Sequence, residues 1–446
     1  MTDQVPGFQL KTKKSQPQRK EWPVALRALR HRNFRLFFFG QLISLIGTWM
    51  DPIAESWLVY RLTGSPLLLG TVAFAGQIPI LILMPIGGII ADRYDRRSIL
   101  VGTQSFTMTL TLVLAGLTLT HVVQPWHIIM LGALMGIVSA FDIPVRQAFI
   151  VDTVSREDLA NATALNLAIF NGARVIGPAL AGIVVTAVGE GWCFLANGLS
   201  FLAVIAGLLM MTGASARQAP QGSPMQNIIE GFQFATRTAP VRALILLLGL
   251  ISLTGTPGVV LMPVFAGQIL HGGARALGLL LGAIGLGALC GAITLATRKN
   301  VSGLERWIVV ACNTFGAALI LFSLSRTFWL SAALLVPVGF SVVLEMGSSH
   351  TLLQSMVPDR LRGRVMAVCS MMFMGMAPLG SLMAGGVAHA IGTPMTVALS
   401  GAISIIGGIV FATRLSALRP AAQALVVAQQ TSGTEPAKKI TGPVFS

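Results

Sequence analysis

Long apolar runs separated by short polar turns make up nearly the whole chain. Twelve of them fall at roughly 34–60, 66–91, 97–120, 126–150, 161–188, 192–212, 241–269, 276–297, 306–324, 328–354, 363–389 and 393–413. Runs of about 20 apolar residues cross a bilayer as helices, whereas barrel strands alternate and last about 10 residues. The pattern therefore predicts an all-α membrane protein with twelve transmembrane helices, spans 1 to 12.

The polar stretches divide this array. Residues 1–33 form a basic N-terminal segment, polar and expected to be disordered over 1–21. Its end, WPVALRALRHRNF (22–34), spaces apolar and basic residues as an interfacial helix would on the inner membrane face. Between spans 6 and 7, ASARQAPQGSPMQN has linker composition, which marks 213–240 as the join between bundles at 34–212 and 241–414. The tail, 415–446, is expected to need no fold.

The two bundles repeat each other. IVDTVSREDLANATAL (150–165) and LLQSMVPDRLRGRVMAV (352–368) each join two helices through an acid–basic–Leu turn, and Pro178 and Pro378 follow at matching depth. The offset of about 200 residues predicts two pseudo-symmetric six-helix bundles. Many secondary transporters share this plan, with the substrate site between the repeats.

Composition agrees: 54% of residues are apolar and 11% charged, against roughly 25% charged in soluble domains. The net charge of +15 would suggest nucleic acid in a soluble protein. Its distribution removes that reading. Of 31 Lys and Arg, 26 fall on the side of the membrane that holds both ends of the chain, and Arg61, Arg275 and Arg326 fall on the other. Basic residues are retained in the cytoplasm, so both termini are expected there and no nucleic acid is needed. The first apolar run is too long for a cleavable signal and lacks a small-residue cleavage site. Cys193, Cys290, Cys312 and Cys369 lack metal-ligand spacing and are expected to pack as small apolar residues, so no metal and no cofactor is expected.

The turn after span 2, GGIIADRYDRRSIL (87–100), concentrates charge in an otherwise oily region. Gly88 would let spans 2 and 3 approach. Asp92 would accept from free backbone N–H groups of span 3 or meet an arginine of the opposite half, strengthening a closed inner gate. A positive-inside anchor explains the arginines but neither the acids nor the glycine spacing. The segment resembles the signature loop of the major facilitator superfamily, in which Gly, three residues, Asp-Arg, one residue, Gly and basic residues follow one another. Here those positions are Gly88, Asp92, Arg93, Arg96 and Arg97, with Asp95 replacing the later glycine. The equivalent loop of the second half, ATRKNVSGLERW, lacks the acid. In span 5, GARVIGPALAG, with Gly172, Gly177, Pro178 and Gly182, is similar to the exporter motif of the superfamily. LRHRNFRLFFFGQLISLIGTWM, SWLVYRLTGSPLLLG and FDIPVRQAFIVDTVSREDLANATALN resemble its enterobactin-exporter and transmembrane-secretion-effector group.

That resemblance implies the major facilitator fold, with spans 1, 4, 7 and 10 lining a central cavity. It also implies ion-driven efflux, usually proton-coupled, of siderophores, macrolides or other amphiphilic molecules across a bacterial inner membrane, by a monomer. An importer of a small polar solute shares the fold. A non-transporting sensor or scaffold would need a soluble domain or partner surface that the sequence does not contain. Enzyme chemistry is not expected, because no nucleophile–base set, metal spacing or phosphate loop is present.

Four of the sixteen acids lie inside spans: Asp51, Glu55, Asp142 and Glu345. A charge facing lipid would cost several kcal/mol, so interior or watery positions are expected. Asp51 and Glu55 stand one helical turn apart on one face, repel each other, and can carry a proton or hold a cation. The resembling group often has amides here. Alternatively, Glu55 is simply wet at the outer mouth. Asp142 is a further proton or ion coupling candidate, but it has Arg146 one turn later and is expected to pair with it. Glu345, at the matching position of the second half, is followed by Ser349 and His350 instead of an arginine, which makes it a second proton-site candidate. Mid-span Arg174 needs an acid partner in a buried network or contacts an anionic substrate group. Met371, Met372, Met374 and Met376 soften span 11 for packing or varied ligands.

Overall fold

The structure is a computed structural model and describes residues 23–212, 224–298 and 303–432. The disorder expected for 1–21, the linker stretch 213–223 and residues 299–302 and 433–446 lie outside the described residues. Among the described residues, twelve helices are long and apolar enough to cross a membrane: Arg32–Thr63, Pro66–Arg93, Arg96–Leu119, Pro125–Thr153, Leu159–Val188, Glu190–Leu209, Ala239–Ile269, Gly273–Ala296, Leu304–Leu324, Phe328–Met356, Asp359–Ile391 and Thr393–Leu425. Most overrun the predicted limits by a few residues. Hydropathy marks only the hydrocarbon-embedded part of a helix, while backbone hydrogen bonding continues into its polar ends.

Local chemistry sets the turns. Gly64 (φ +60°) ends span 1, and Ser65 accepts from the Leu68 N–H at 3.4 Å while Pro66 opens span 2. Asp95 caps span 3 through the Ser98 N–H at 2.8 Å. Span 7 departs from α geometry at one end, with a π turn at Phe265–Ile269 following Pro263.

Helix contacts display the duplication. In the first half, span 2 packs on 4, 1 on 6, 3 on 6, 1 on 5 and 3 on 4; in the second, 8 packs on 10, 7 on 12, 9 on 12, 7 on 11 and 9 on 10. Adding six to each pair of the first set gives a pair of the second. The halves meet along two seams, span 2 against 11 and span 5 against 8, which the same operation exchanges. Two pseudo-equivalent six-helix bundles result, as the sequence predicts. Large apolar side chains such as Phe39, Ile43, Ile82 and Ile406 remain exposed around the outside, the surface expected of a protein solvated by lipid. Trp126, Trp192 and Trp329, all exposed, stand at the starts of spans 4, 6 and 10 and so belong to one face of the membrane.

The end of the bundle that carries residues 23 and 432 is called the terminal end below, and the opposite end the far end. At the terminal end, the segment expected as an interfacial helix is a short 3-10 helix, Val24–Arg30. Ala28 and Leu29 are buried against the protein, so it is docked on the first bundle. A linker helix, Pro224–Arg237, packs on span 11, where Glu230 pairs with Arg364 and Gly231 lies against the Arg364 carbonyl. The tail departs from expectation: the last helix continues to Ser432, and Arg419 reaches the buried Glu305 at 3.4 Å. Leu415, Leu418 and Ala422 line a hollow beside them with Pro240 and Leu244. Apolar residues at helical spacing give the extension a partner that composition alone conceals.

Candidate functional site

Glycines define where the halves touch. A Cβ on Gly70 of span 2 would stand 2.4 Å from the Ser381 carbonyl and 3.0 Å from Gly385 Cα of span 11. One on Gly278 of span 8 would stand 2.4 Å from the Pro178 carbonyl and 2.9 Å from Gly182 Cα of span 5. All of these positions lie toward the far end. Backbone-to-backbone approach of this kind is available only to residues without a side chain. Tyr60, near the end of span 1, adds to the closure by lying against Gly267 in the π turn of span 7.

Toward the terminal end no glycine of spans 2, 5, 8 or 11 makes such an approach across the halves. Around Gly88, Gly172 and Gly363 a Cβ would meet nothing within 4 Å. None of the ion pairs Arg96–Asp152, Arg364–Glu230 and Arg419–Glu305 joins one bundle to the other.

Between the halves lies a cavity of two lobes. The larger, 420 Å³, is lined by residues of spans 1, 2, 3, 4 and 6 with Val259, Val260 and Leu281 of the second half. The smaller, 270 Å³, is lined mainly by apolar residues of spans 7 to 11 and shares Gln77, Val259 and Val260 with the first. Such volumes suit a drug-sized molecule. The lining draws on more helices than spans 1, 4, 7 and 10.

Three of the four intramembrane acids face the larger lobe. Asp142 is fully engaged. Thr103 and Gln104 donate to its Oδ1, each at 2.8 Å, and Arg146 pairs with its Oδ2 while reaching Gln41 at 3.2 Å. The expected intrahelical pair is present, as part of a larger network. Asp51, only 9% exposed, accepts from Asn197 of span 6 through Oδ2, whereas its buried Oδ1 has no partner. Glu55, one turn on, lines the same lobe opposite Gly132. Neither carboxyl forms an ion pair among the described residues. Glu345 departs from this arrangement. It is buried in the second half away from both lobes, with Ser349 donating to Oε1 at 3.0 Å and Oε2 unpartnered.

Arg174 has no carboxylate partner among the described residues. It lines the smaller lobe, with its guanidinium carbon 5.8 Å from the centre of the Trp49 ring. The buried network offered as one alternative is not present among the described residues; the guanidinium faces the cavity and the indole instead. Gln77, Gln104 and Asn197 are cavity residues that sequence reasoning missed. Each is an isolated amide in an apolar span, a polar exception of the same kind as the acids.

The charged turn is distributed differently from the expectation. Gly87, not Gly88, makes the close approach, and it does so to span 4, where a Cβ would stand 2.1 Å from the Ala140 carbonyl. Asp95, not Asp92, caps span 3. The Ser98 hydroxyl and then the Ser98 and Arg97 backbone and the Arg97 charge hold its carboxyl below the usual range. Asp92 is largely exposed and, among the described residues, its ion-pair partner is Arg96, at 3.8 Å. Arg96 binds Asp152 at 2.9 Å and the Ala91 carbonyl at 3.0 Å, and Arg97 donates to the Leu209 carbonyl at 2.7 Å. A second acid, Asp158, gathers His31 at 2.7 Å, Arg27 and Arg30. The His31 hydrogen bond, followed by the Arg27 hydrogen bond and the two arginine charges, holds its carboxyl below the usual range.

Residues 24–444 match the model of the transmembrane secretion effector family. The chain is similar to the staphyloferrin A transporter of Staphylococcus aureus (strain NCTC 8325 / PS 47), at 27% identity over 383 residues, 84% of this chain and 95% of that protein. It is also similar to the enterobactin exporter EntS of Citrobacter koseri, at 25% identity over 409 residues, 90% of this chain and 96% of that protein. Among solved structures, a bacterial homologue of the iron transporter ferroportin shares the fold, with a TM-score of 0.68 and 17% identity over 86% of this chain and 98% of that one.

Proposed function

The chain belongs to the transmembrane secretion effector family of major facilitator transporters, and on that premise we propose that it exports a small amphiphilic compound by proton-coupled alternating access. The observation that carries the reading is the contrast between the ends. The seams close backbone to backbone at the far end, no glycine approach of that kind joins the halves at the terminal end, and a two-lobed cavity lies between the halves. The excess of basic residues at the terminal end supports placing that end on the cytoplasmic side, which would make this conformation the inward-facing one, ready to load cargo. Closing the terminal end would bring Asp92 and its neighbouring arginines toward the second half, while the glycine seams separate and release cargo outside. A proton taken up by Asp51, Glu55 or Glu345 from that side and given up inside would drive the return. The siderophore relatives make siderophores one cargo class, beside macrolides and other drug-like molecules.

The test is uptake of neutral, cationic and anionic fluorescent amphiphiles into proteoliposomes under an imposed pH gradient. Gradient-driven accumulation of at least one is expected, with loss when a protonophore is added. Transport that survives the protonophore unchanged would refute the coupling, and Asp51→Asn with full coupled transport would remove that residue from the cycle.

A further inference from the structure

The cavity is chemically lopsided. In the larger lobe, Arg146 pairs with Asp142 and donates to Gln41, which matches its charge with a carboxylate and leaves only its Nε without a partner. Asp51 and Glu55 line the same lobe without a cation, and the Asp51 Oδ1 is buried and unpartnered. The smaller lobe presents Ile251, Phe315, Leu335, Val338 and Phe373, with Arg174 in its lining. A carboxylate oxygen removed from water without a donor is a large unmet electrostatic demand. The ligand that meets it brings an N–H donor carrying positive charge.

We propose that the cargo is a cationic amphiphile, whose single basic nitrogen sits at Asp51 and Glu55 and whose apolar body fills the adjoining lobe. This rests on the cavity being the cargo site, and it narrows the export reading to one charge class. Polycarboxylate or other polyanionic cargo would place like charges against Asp51 and Glu55. A second cationic group on the body would approach Arg174, so the fit is to one charge and not two. The acid pair would set this chain's cargo apart from an anionic one, whatever the relatives carry.

The experiment uses three dansyl probes that share one alkyl chain and end in a dimethylamine, an acetamide or a carboxylate. Binding to the purified full-length protein in detergent is followed by dansyl fluorescence near neutral pH. The amine is expected to bind tightest and the carboxylate weakest. Glu55→Gln and Asp51→Asn should each lower the amine-to-acetamide preference at least about tenfold, the scale of losing one partner of a desolvated charge pair. Measuring a preference within each variant removes any general loss of folded protein. Equal binding of the three, tightest binding of the carboxylate, no saturable binding of the amine, or a preference unmoved in both variants would overturn the proposal. Gradient-driven movement of the amine probe into liposomes that carry the protein, beyond its passive entry into protein-free liposomes, tests export separately. Its failure beside intact amine preference would defeat the export reading and leave the charge preference standing, and the reverse pattern would do the opposite.

Discussion

Replacing Gly278 by alanine would put a methyl group 2.4 Å from the Pro178 carbonyl oxygen and 2.9 Å from Gly182 Cα. Both are backbone atoms of span 5 and cannot rotate away. Reaching ordinary contact, 3.4 Å or more, requires spans 5 and 8 to separate by about 1 Å where they now touch. Overpacking of this kind costs about 1–3 kcal/mol. The penalty falls on the far-end-closed state alone if the seam opens during the cycle, so the equilibrium should move about 5- to 150-fold toward the opposite state. Nitroxides on Arg156→Cys and Arg360→Cys, in a background lacking the exposed Cys290, would report the separation of the two halves at the terminal end by pulsed electron resonance. A shorter distance should gain population in Gly278→Ala. Gly88→Ala, where a Cβ meets nothing within 4 Å in the present state, should leave that state unharmed. An unchanged distance distribution in Gly278→Ala would refute the idea that the span 5–span 8 seam parts.

Two other perturbations address the terminal end. Because the Asp158 carboxyl is held below its usual range by His31 and the two arginines, its hold on the N-terminal segment should be complete above the ordinary aspartate value of about 3.9 and fade as pH falls through the depressed one. Protease cutting near residue 27 should accelerate over that acid range, and Asp158→Asn should show the fast rate already at neutral pH; equal rates in both proteins would refute the clasp. Arg419→Ala strands the buried Glu305, and loss of one partner of a buried pair costs about 3–5 kcal/mol. Its melting temperature should fall, and Arg419→Leu with Glu305→Leu should recover most of the loss.

The extent to which the sequence revealed the protein follows the physics of each feature. Twelve spans were legible because hydrocarbon imposes a length and a polarity on every helix, independent of its neighbours. The duplication was legible because paired turns survive as matching strings. The four intramembrane acids and Arg146 stood out for the same reason: a charge in an apolar run is conspicuous. Their environments were not. Glu345 and Asp142 occupy matching places in the two repeats, yet one is packed off the cavity and the other is engaged by Thr103, Gln104 and Arg146. Which face of a uniformly apolar helix turns inward has almost no periodic signal. The docked tail was hidden as well, since its apolar residues acquire meaning only against Pro240, Leu244 and Glu305.

By itself, the chain of residues determined that this protein lives in a bilayer, as helices, in two copies of one plan, with its charge gathered at one end. Those properties arise from transfer of each segment out of water and need no partner. Tertiary structure alone decided that Gly87 and Asp95 take the roles offered to Gly88 and Asp92, that Arg174 faces a cavity and an indole, and that glycines 70, 182, 278 and 385 carry the far-end seams. Those properties are distances between separate helices, set by packing across hundreds of residues, and no local pattern encodes a distance.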